Sequence, residues 1–455
     1  MSASSRDAVV IGAGAAGLAA AHALRRAGRD VLVLEAQGAP GGVMQTVAQD
    51  GFRFERGPNS LRVGVPLLAL LREADAEDAL ERAGPASRAR YLLRAHGLVP
   101  APLGPLAFAG TPLLSARGKL RLLAEPFVAR GDGAHESVAQ FIGRRFGAEA
   151  CERLVGPFLT GVYAGDEAQL GAEAVFGSLV RFERERGSIL RGALATAFAR
   201  GPRGLAGSFS AHGGLGTLAA RLAAALGEGV LRCGAPVRGV ARDGAGFRVA
   251  LAHEEIRARA LVLALDAPAA ARLLAPLDAE AARLAGGIAY APLASVALDL
   301  DPAAASRAPA GFGFLVPRDL GVDLLGALFM SQLFAGRAPA GRELVTALIG
   351  GARWPGVASA SDDEIARRVL AGLDRALGLR AAPRVLAISR WSHAVPQPGV
   401  DHLARIAALR ARFAQDAALA FAGGWLDGVA VADAFASGRT AGVRVAEALA
   451  RREAA

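Results

Sequence analysis

The chain has 455 residues, 53% hydrophobic and 21% charged, with a formal net charge of +10. That apolar share excludes a disordered chain and predicts a multi-domain globular protein. Two distant cysteines, Cys151 and Cys233, with no CxxC pair exclude a disulfide scaffold, a zinc site and a dithiol centre; both are expected to be buried thiols. The basic balance leaves an anionic substrate or an anionic membrane surface open. Arginines interleaved with acids, and no basic run, argue against nucleic acid.

Ala8–Ile11 reads as a buried parallel strand. Gly12-Ala13-Gly14-Ala15-Ala16-Gly17 follows at once. Gly12 allows a tight turn, Gly14 lets a pyrophosphate approach the backbone, and Gly17 lets the next helix pack close. That helix, Leu18 to Ala27, stops at Gly28 and leads to a second strand, Val31–Leu34. Glu35, beside Ala36, closes that strand 18 residues after Gly17, where an acid can accept hydrogen bonds from a ribose. Strand, glycines, helix, strand and acid in register predict a dinucleotide site. No secretory signal precedes the first strand, so a cytoplasmic location is expected.

The longest charge-free stretch, Ala95 to Ala116, is broken by Pro100, Pro102, Pro105 and Pro112. It reads as a buried loop or one that touches a bilayer, not as a membrane span. Helix formers dominate 117–130, 137–146, 148–158 and 191–200. Residues 226–274 read as strands and turns ending in the apolar run Ala260–Leu265. Between 275 and 415, "ASVALDL", "FGFLVP", "DLLGALFM" and "ELVTALIGG" read as strands and Asp362–Leu377 as a helix. Residues 417–452 read as strand, glycine turn and a helix from about Val431, a second place where a helix start follows glycines.

"EAQGAPGGVMQT" and "GFRFERGPNS" (51–60) resemble the FAD-dependent amine oxidase and desaturase superfamily. Within it, "RGPNS", "RARYLLRAHG", "TGVYAGDEAQLGAEAVFGSLVRFERERGSIL", "HGGLGTLAARLAAAL", "GIAYAPLASVAL", "GFGFLVP", "LIGGAR" and "FAGGWLDGVAVADAFASGRTAG" are similar, in order, to the oxygen-dependent protoporphyrinogen oxidase family. The resemblance implies an α/β and α+β fold: a Rossmann-like FAD domain from discontinuous segments (1–87, 206–274, 416–455), a mixed-sheet substrate domain (88–92, 275–415) and a helical, membrane-facing insert (93–205). It implies FAD as cofactor, a tetrapyrrole substrate and O2 as acceptor. It also implies peripheral attachment to the inner face of the cell membrane, a ferrochelatase receiving the product, and a monomer or homodimer. No metal is expected.

Beyond Gly12, Gly14, Ala15, Ala16, Gly17, Glu35 and Ala36, the resemblance places Gly41, Gly42, Val43, Gly57, Pro58, Asn59 and Ser60 at the cofactor. It adds Val237 at the adenine, Trp391 near the isoalloxazine, and Val429, Ala430 and Val431 at the flavin carbonyl and ribityl. Arg90 takes the place of an arginine that pairs with a substrate propionate. Leu315, Leu328 and Leu348 take those of apolar residues that sandwich the macrocycle. Gly161 and Gly165 flank a stretch whose backbone carbonyl lies near it. Relatives carry Phe or Met at Leu348, and Asn-Asp where this chain has Ala432-Asp433. No residue is assigned as catalytic acid or base. A flavin amine oxidase would want a lysine beside the flavin, and Lys119, the only lysine, lies in the insert. A carotenoid desaturase, coproporphyrinogen III oxidation by the same chemistry, and a non-catalytic FAD or porphyrin carrier stay open as alternatives.

Overall fold

The computed structural model describes residues 5–102, 104–131, 135–197, 204–303 and 308–454. Its first sheet is built around Ser5–Ile11, whose Ala8, Val9 and Val10 are fully buried. Val31–Leu34 and Glu255–Leu263 flank it in parallel. Leu231–Arg232 pairs beyond the former, and Leu419–Phe421 pairs with the C-terminal half of the latter, both again parallel. A hairpin, Gly239–Asp243 and Gly246–Ala250, adds antiparallel strands to the N-terminal half. Pieces of chain far apart in sequence thus share one sheet. Its parallel strands end on the same side, the side on which such sheets bind ligands.

The helix Ala15–Arg26 packs on the last helix, Val431–Ala454. A Cβ on Gly438 would lie 1.9 Å from the Ala16 carbonyl oxygen, and one on Gly442 2.5 Å from that of Ala20. Only glycine allows so close a crossing. Leu18, Leu24, Val445 and Leu449 are fully buried in the same core, each contributing about 2 kcal/mol of apolar burial.

The second sheet runs Arg384–Pro396, Tyr290–Leu300, Glu343–Gly350, Leu324–Phe329, Gly313–Leu315, Tyr91–Arg94, Gly97–Pro100. One face packs on helix Asp362–Leu377: Val296, Phe314, Ala327, Phe329, Ala347 and Ile349 meet Ile365, Val369 and Leu373. That helix is locally specified. Ser361 caps it by accepting from the Glu364 N–H, acids fill its first turn, and Gly378 ends it at φ +57°. On the opposite face Leu315, Leu328 and Leu348 are only half-buried.

The Tyr91–Pro100 hairpin corrects one boundary. The helical insert was expected from residue 93, yet 93–100 extends the second sheet, because Tyr91 and Leu92 pair with Phe314 and Leu315 and Gly97 turns the chain at φ +121°. The helices of this region that the sequence predicts run Ala116–Leu123, Val138–Phe146, Gly156–Tyr163 and Ile189–Ala197; Ala172–Arg186 is an additional one. Residues 103, 132–134 and 198–203 of the expected insert lie outside the described residues. Phe141, Ile142, Leu159 and Val180 form its small core. Beside them Arg145, fully buried, pairs with Glu125 and Glu183, while Arg144 pairs with Glu136 and Glu183.

Among the described residues of the charge-free stretch 95–116, no large apolar side chain is exposed. Leu113 and Leu114 are buried. In the insert, large apolar side chains are exposed at Leu120, Leu123, Phe127, Phe158, Val162 and Leu194, with Phe127 85% exposed. Among the described residues no helix is long and apolar enough to cross a membrane.

Candidate functional site

At the carboxyl end of Ser5–Ile11 each glycine has a distinct task. A Cβ on Gly12, held at φ +100°, would lie 2.4 Å from the Ala264 oxygen; one on Gly17 would lie 1.8 Å from the Gly12 oxygen. Both are forced by packing. Gly14 is not, since the nearest atom to its Cβ would be the Gly42 Cα at 3.8 Å. Gly14 is the N-cap of the first helix and supplies no side-chain cap, so the first-turn N–H groups stay available to an anion. The Gly41 N–H donates to the Ala13 oxygen at 2.8 Å, which lays the Gly41-Gly42 pair along the glycine turn. Glu35 accepts from the Ala13 and Gln37 N–H groups at 2.7 and 2.9 Å. Each carboxylate oxygen keeps a lone pair for a ribose hydroxyl. Ala235 donates to the Glu35 carbonyl, which brings Val237 close to this end. Cys233 in the same loop is half-buried rather than buried, and burial and the nearby Glu35 push its thiol up. The arrangement fits a dinucleotide: an open glycine cradle, free helix-end donors and an oriented acid.

A second group carries the cradle toward the second sheet. Gly57 packs against Val43, whose carbonyl oxygen would lie 2.3 Å from a Cβ there. Next along, past Pro58 and before Ser60, Asn59 donates to the Gly57 oxygen at 3.2 Å, while its own buried Oδ1 accepts nothing. An orphaned buried acceptor is costly in the empty protein and fits a bound donor. Trp391 donates to the Arg56 carbonyl at 2.8 Å, and Arg56 reaches Ser389 and Gln45. At the C-terminal end Ala430 donates to Asp433 at 3.1 Å, closing the turn that opens the last helix at Val431. Val429 packs on the Tyr163 cluster of the insert.

Register explains the leucines. Ser389, Ser295, Leu348, Gly326 and Leu315 form one transverse row across the second sheet. Leu328 lies in the next row, opposite Gly313 and Thr346. The row begins where Arg56 touches Ser389 and ends where Gly161 meets Leu315; a Cβ on Gly161 would lie 2.5 Å from Leu315 Cδ2. Arg353 braces the Leu315 end of the row. Its buried guanidinium donates to the carbonyls of Leu324 and Val316 and to the Thr160 hydroxyl, and burial lowers its pKa to about 10. Arg90 sits at the far edge, its guanidinium 4.6 Å over the Phe312 ring. Burial, then repulsion from Arg62, holds its pKa below the usual arginine range.

Gly165 is placed apart from the leucine row. It packs on Gln397 and Leu170, and its carbonyl accepts from Arg318 at 3.2 Å. The Tyr163 and Ala164 carbonyls are engaged as well, by Gln397 and by the Ala352 N–H, both at 2.8 Å. Gln397 and Leu170 line a cavity of about 450 Å³ between the insert and the second sheet, with Tyr290, Ala291, Ala352 and Arg405. Sequence reading missed this cavity and Arg353: their partners come from distant segments, and no local spacing marks them.

The sequence profile described as flavin containing amine oxidoreductase matches residues 15–446. The chain is 33% identical to the chloroplastic protoporphyrinogen oxidase of Oryza sativa subsp. japonica, over 94% of this chain and 85% of the relative. It is 26% identical to the coproporphyrinogen III oxidase of Bacillus subtilis, over 90% and 91% of the two chains. A crystal structure from Exiguobacterium sp. 255-15, provisionally named a protoporphyrinogen oxidase, superposes with a TM-score of 0.83 at 26% identity, covering 98% of this chain and 100% of that one.

Proposed function

The chain belongs to the flavin containing amine oxidoreductase family, and from that premise we propose that it is an FAD-dependent enzyme oxidising protoporphyrinogen IX to protoporphyrin IX. Six electrons and six protons leave the substrate, and three O2 become three H2O2. The observation that carries the reading is the half-buried leucine face running from Arg56 to Leu315, with Arg90, which has no carboxylate partner among the described residues, at its edge.

FAD, when bound, supplies the two-electron acceptor. The chain's residues do the rest. Gly14, the Gly41-Gly42 pair and the uncapped helix start bind the pyrophosphate, and Glu35 binds the ribose. Leu315, Leu328 and Leu348 present an apolar floor to the macrocycle and exclude water from it. The Arg90 fork holds a propionate. No side chain on this floor is placed as an acid or base, so protons leave through solvent.

The test is aerobic oxidation of protoporphyrinogen IX and coproporphyrinogen III by the FAD-loaded protein, followed by porphyrin fluorescence. Faster turnover of the first, lost in Arg90→Ala, supports the reading. Preference for the second moves the chain to the tetracarboxylate reaction, the alternative suggested by the Bacillus relative. No porphyrin from either overturns both.

The insert docks on an anionic membrane surface. Leu120, Leu123, Phe127 and Leu194 support this, since helix Ile189–Ala197 packs on the Glu125–Phe127 turn and Arg117 and Lys119 share the Ala116–Leu123 helix. Flotation with phosphatidylglycerol liposomes, weakened by Phe127→Ser with Leu123→Ser, is the expected result. Equal flotation of the variant removes the docking.

A further inference from the structure

Helix Ala279–Gly286 ends at Gly287, and the chain runs through Ile288 and Ala289 into the strand Tyr290–Leu300. Helix His402–Arg412 packs on that helix, with Ile406 and Leu409 buried in the core of the first sheet. Arg405, next to Ile406, is therefore held half-buried at the junction. A Cβ on Gly287 would lie 3.2 Å from Arg405 Cζ, so the guanidinium rests against bare backbone there. It lines the cavity of about 450 Å³ between the insert and the second sheet. A cavity of that size admits a small organic molecule.

Among the described residues the Arg405 side chain has no carboxylate and no hydrogen-bond acceptor. The other charged groups of the wall face partners of their own: Asp166 pairs with Arg318 at 3.0 Å, and Asp401 lies 3.5 Å from His135. Burial lowers the pKa of His402, so its imidazole adds no charge at neutral pH. Leu170, Ile288, Ala291, Pro292, Pro355 and Val400 give the cavity apolar walls. One unpaired guanidinium fork beside apolar walls matches a planar carboxylate on an apolar body. A dianion would meet Asp166 and Asp401 with one free cation to offset it.

We infer that this cavity is a second binding site, which takes a small monocarboxylate with an apolar, ring-sized body and holds its carboxylate on Arg405. It is distinct from the leucine floor. Ala291 of its wall packs with Ala164 in a small cluster, and Leu348 of the floor packs against that cluster. The site does not depend on the porphyrinogen reading.

Binding is the discriminating readout. Naphthoate and its uncharged isostere naphthamide are titrated into the FAD-loaded protein by calorimetry. Arg405→Gln weakens naphthoate about tenfold and leaves naphthamide within about twofold, as loss of a charged hydrogen bond requires. Arg405 has no partner to strand, so the Tm stays unchanged, and Arg405→Lys keeps part of the affinity. Val400→Trp fills the cavity from its wall and weakens both compounds. Arg90→Ala keeps the wild-type naphthoate affinity, which separates this site from the leucine floor, and inorganic phosphate does not compete. Equal wild-type affinity for naphthoate and naphthamide, unchanged naphthoate affinity in Arg405→Gln, loss of binding in Arg90→Ala, or no saturable binding overturns the site. Phosphate competing as well as naphthoate overturns the assignment to an apolar carboxylate. Porphyrinogen turnover stands or fails on its own assay.

Discussion

The Glu35 carboxylate accepts a hydrogen bond from the Ala13 N–H at 2.7 Å, so the acid ending the second strand holds the glycine turn ending the first. Glu35 therefore shapes the cradle, and in the proposed role it also meets the ribose. Glu35→Ala removes both and leaves a buried N–H unpaired. FAD affinity is expected to fall at least tenfold, since hydrogen bonds to a charged group are worth about 1.5–3 kcal/mol. Release of flavin fluorescence on dilution measures it; undiminished retention would remove the ribose role.

Gly14 and Gly17 separate ligand space from packing space. Gly17→Ala drives a Cβ into the Gly12 carbonyl and should abolish soluble folded protein. Gly14→Ala meets no protein atom closer than 3.8 Å, so the apo-protein keeps its Tm while FAD binding drops. Equal thermal destabilisation of both variants contradicts the cradle.

Gly161→Ala pushes Leu315 off the leucine row. KM for the porphyrinogen should rise several-fold with FAD content unchanged. An unaltered KM would show that Leu315 does not touch the substrate.

Arg337 donates to Glu55 at 2.9 Å and to Ser210 at 2.6 Å in a fully buried link between strands Phe52–Glu55 and Leu205–Ala211. Arg337→Met strands the Glu55 charge and should cost about 3–5 kcal/mol. Burial already raises the Glu55 pKa, against hydrogen bonds from Thr46, Leu215 and Arg337 itself. A carboxyl raised in the folded state loses stability as pH rises through its folded value, so the deficit grows with pH. Urea denaturation at pH 5 and pH 8 tests this, and Glu55→Gln in the same chain should recover part of the loss. A pH-independent deficit refutes the account.

Glu125 and Glu183 respond in the opposite sense. Burial pushes both up, but Ser188, the Ile189 N–H and Arg145 outweigh it at Glu125, and Arg144 and the Gly131 N–H outweigh it at Glu183. Both are held below the ordinary value, so their contribution is present above about pH 4.5 and is lost as pH falls through their folded values. Amide protection of Val138–Phe146 and Ala172–Arg186 should collapse there before that of Ser5–Ile11. Simultaneous loss in all three segments speaks against a separately titrating insert.

The parts legible in the sequence are those with local causes. The glycine register and Glu35 follow from turn geometry over thirty residues, and Asp362–Leu377 from its cap, its acidic first turn and its closing glycine. The segments 226–274 and 417–452 read as strands and helices for the same reason. What local pattern could not supply is pairing. Residues 93–100 look helical or loop-like until Phe314 offers an edge to pair with. The charge-free stretch 95–116 reads as a buried loop or one that touches a bilayer, and only tertiary packing shows Leu113 and Leu114 buried.

Leu315, Leu328 and Leu348 are ordinary strand leucines in the sequence, and only register across three antiparallel strands puts Leu348 and Leu315 in one row. By itself the sequence determined a dinucleotide fold and, through its motifs, the chemical family. The tertiary structure alone decided which charges lack partners, because neutralisation depends on what other segments bring within reach. Arg145 meets Glu125 and Glu183, whereas Arg90 lies over the Phe312 ring with no carboxylate partner among the described residues.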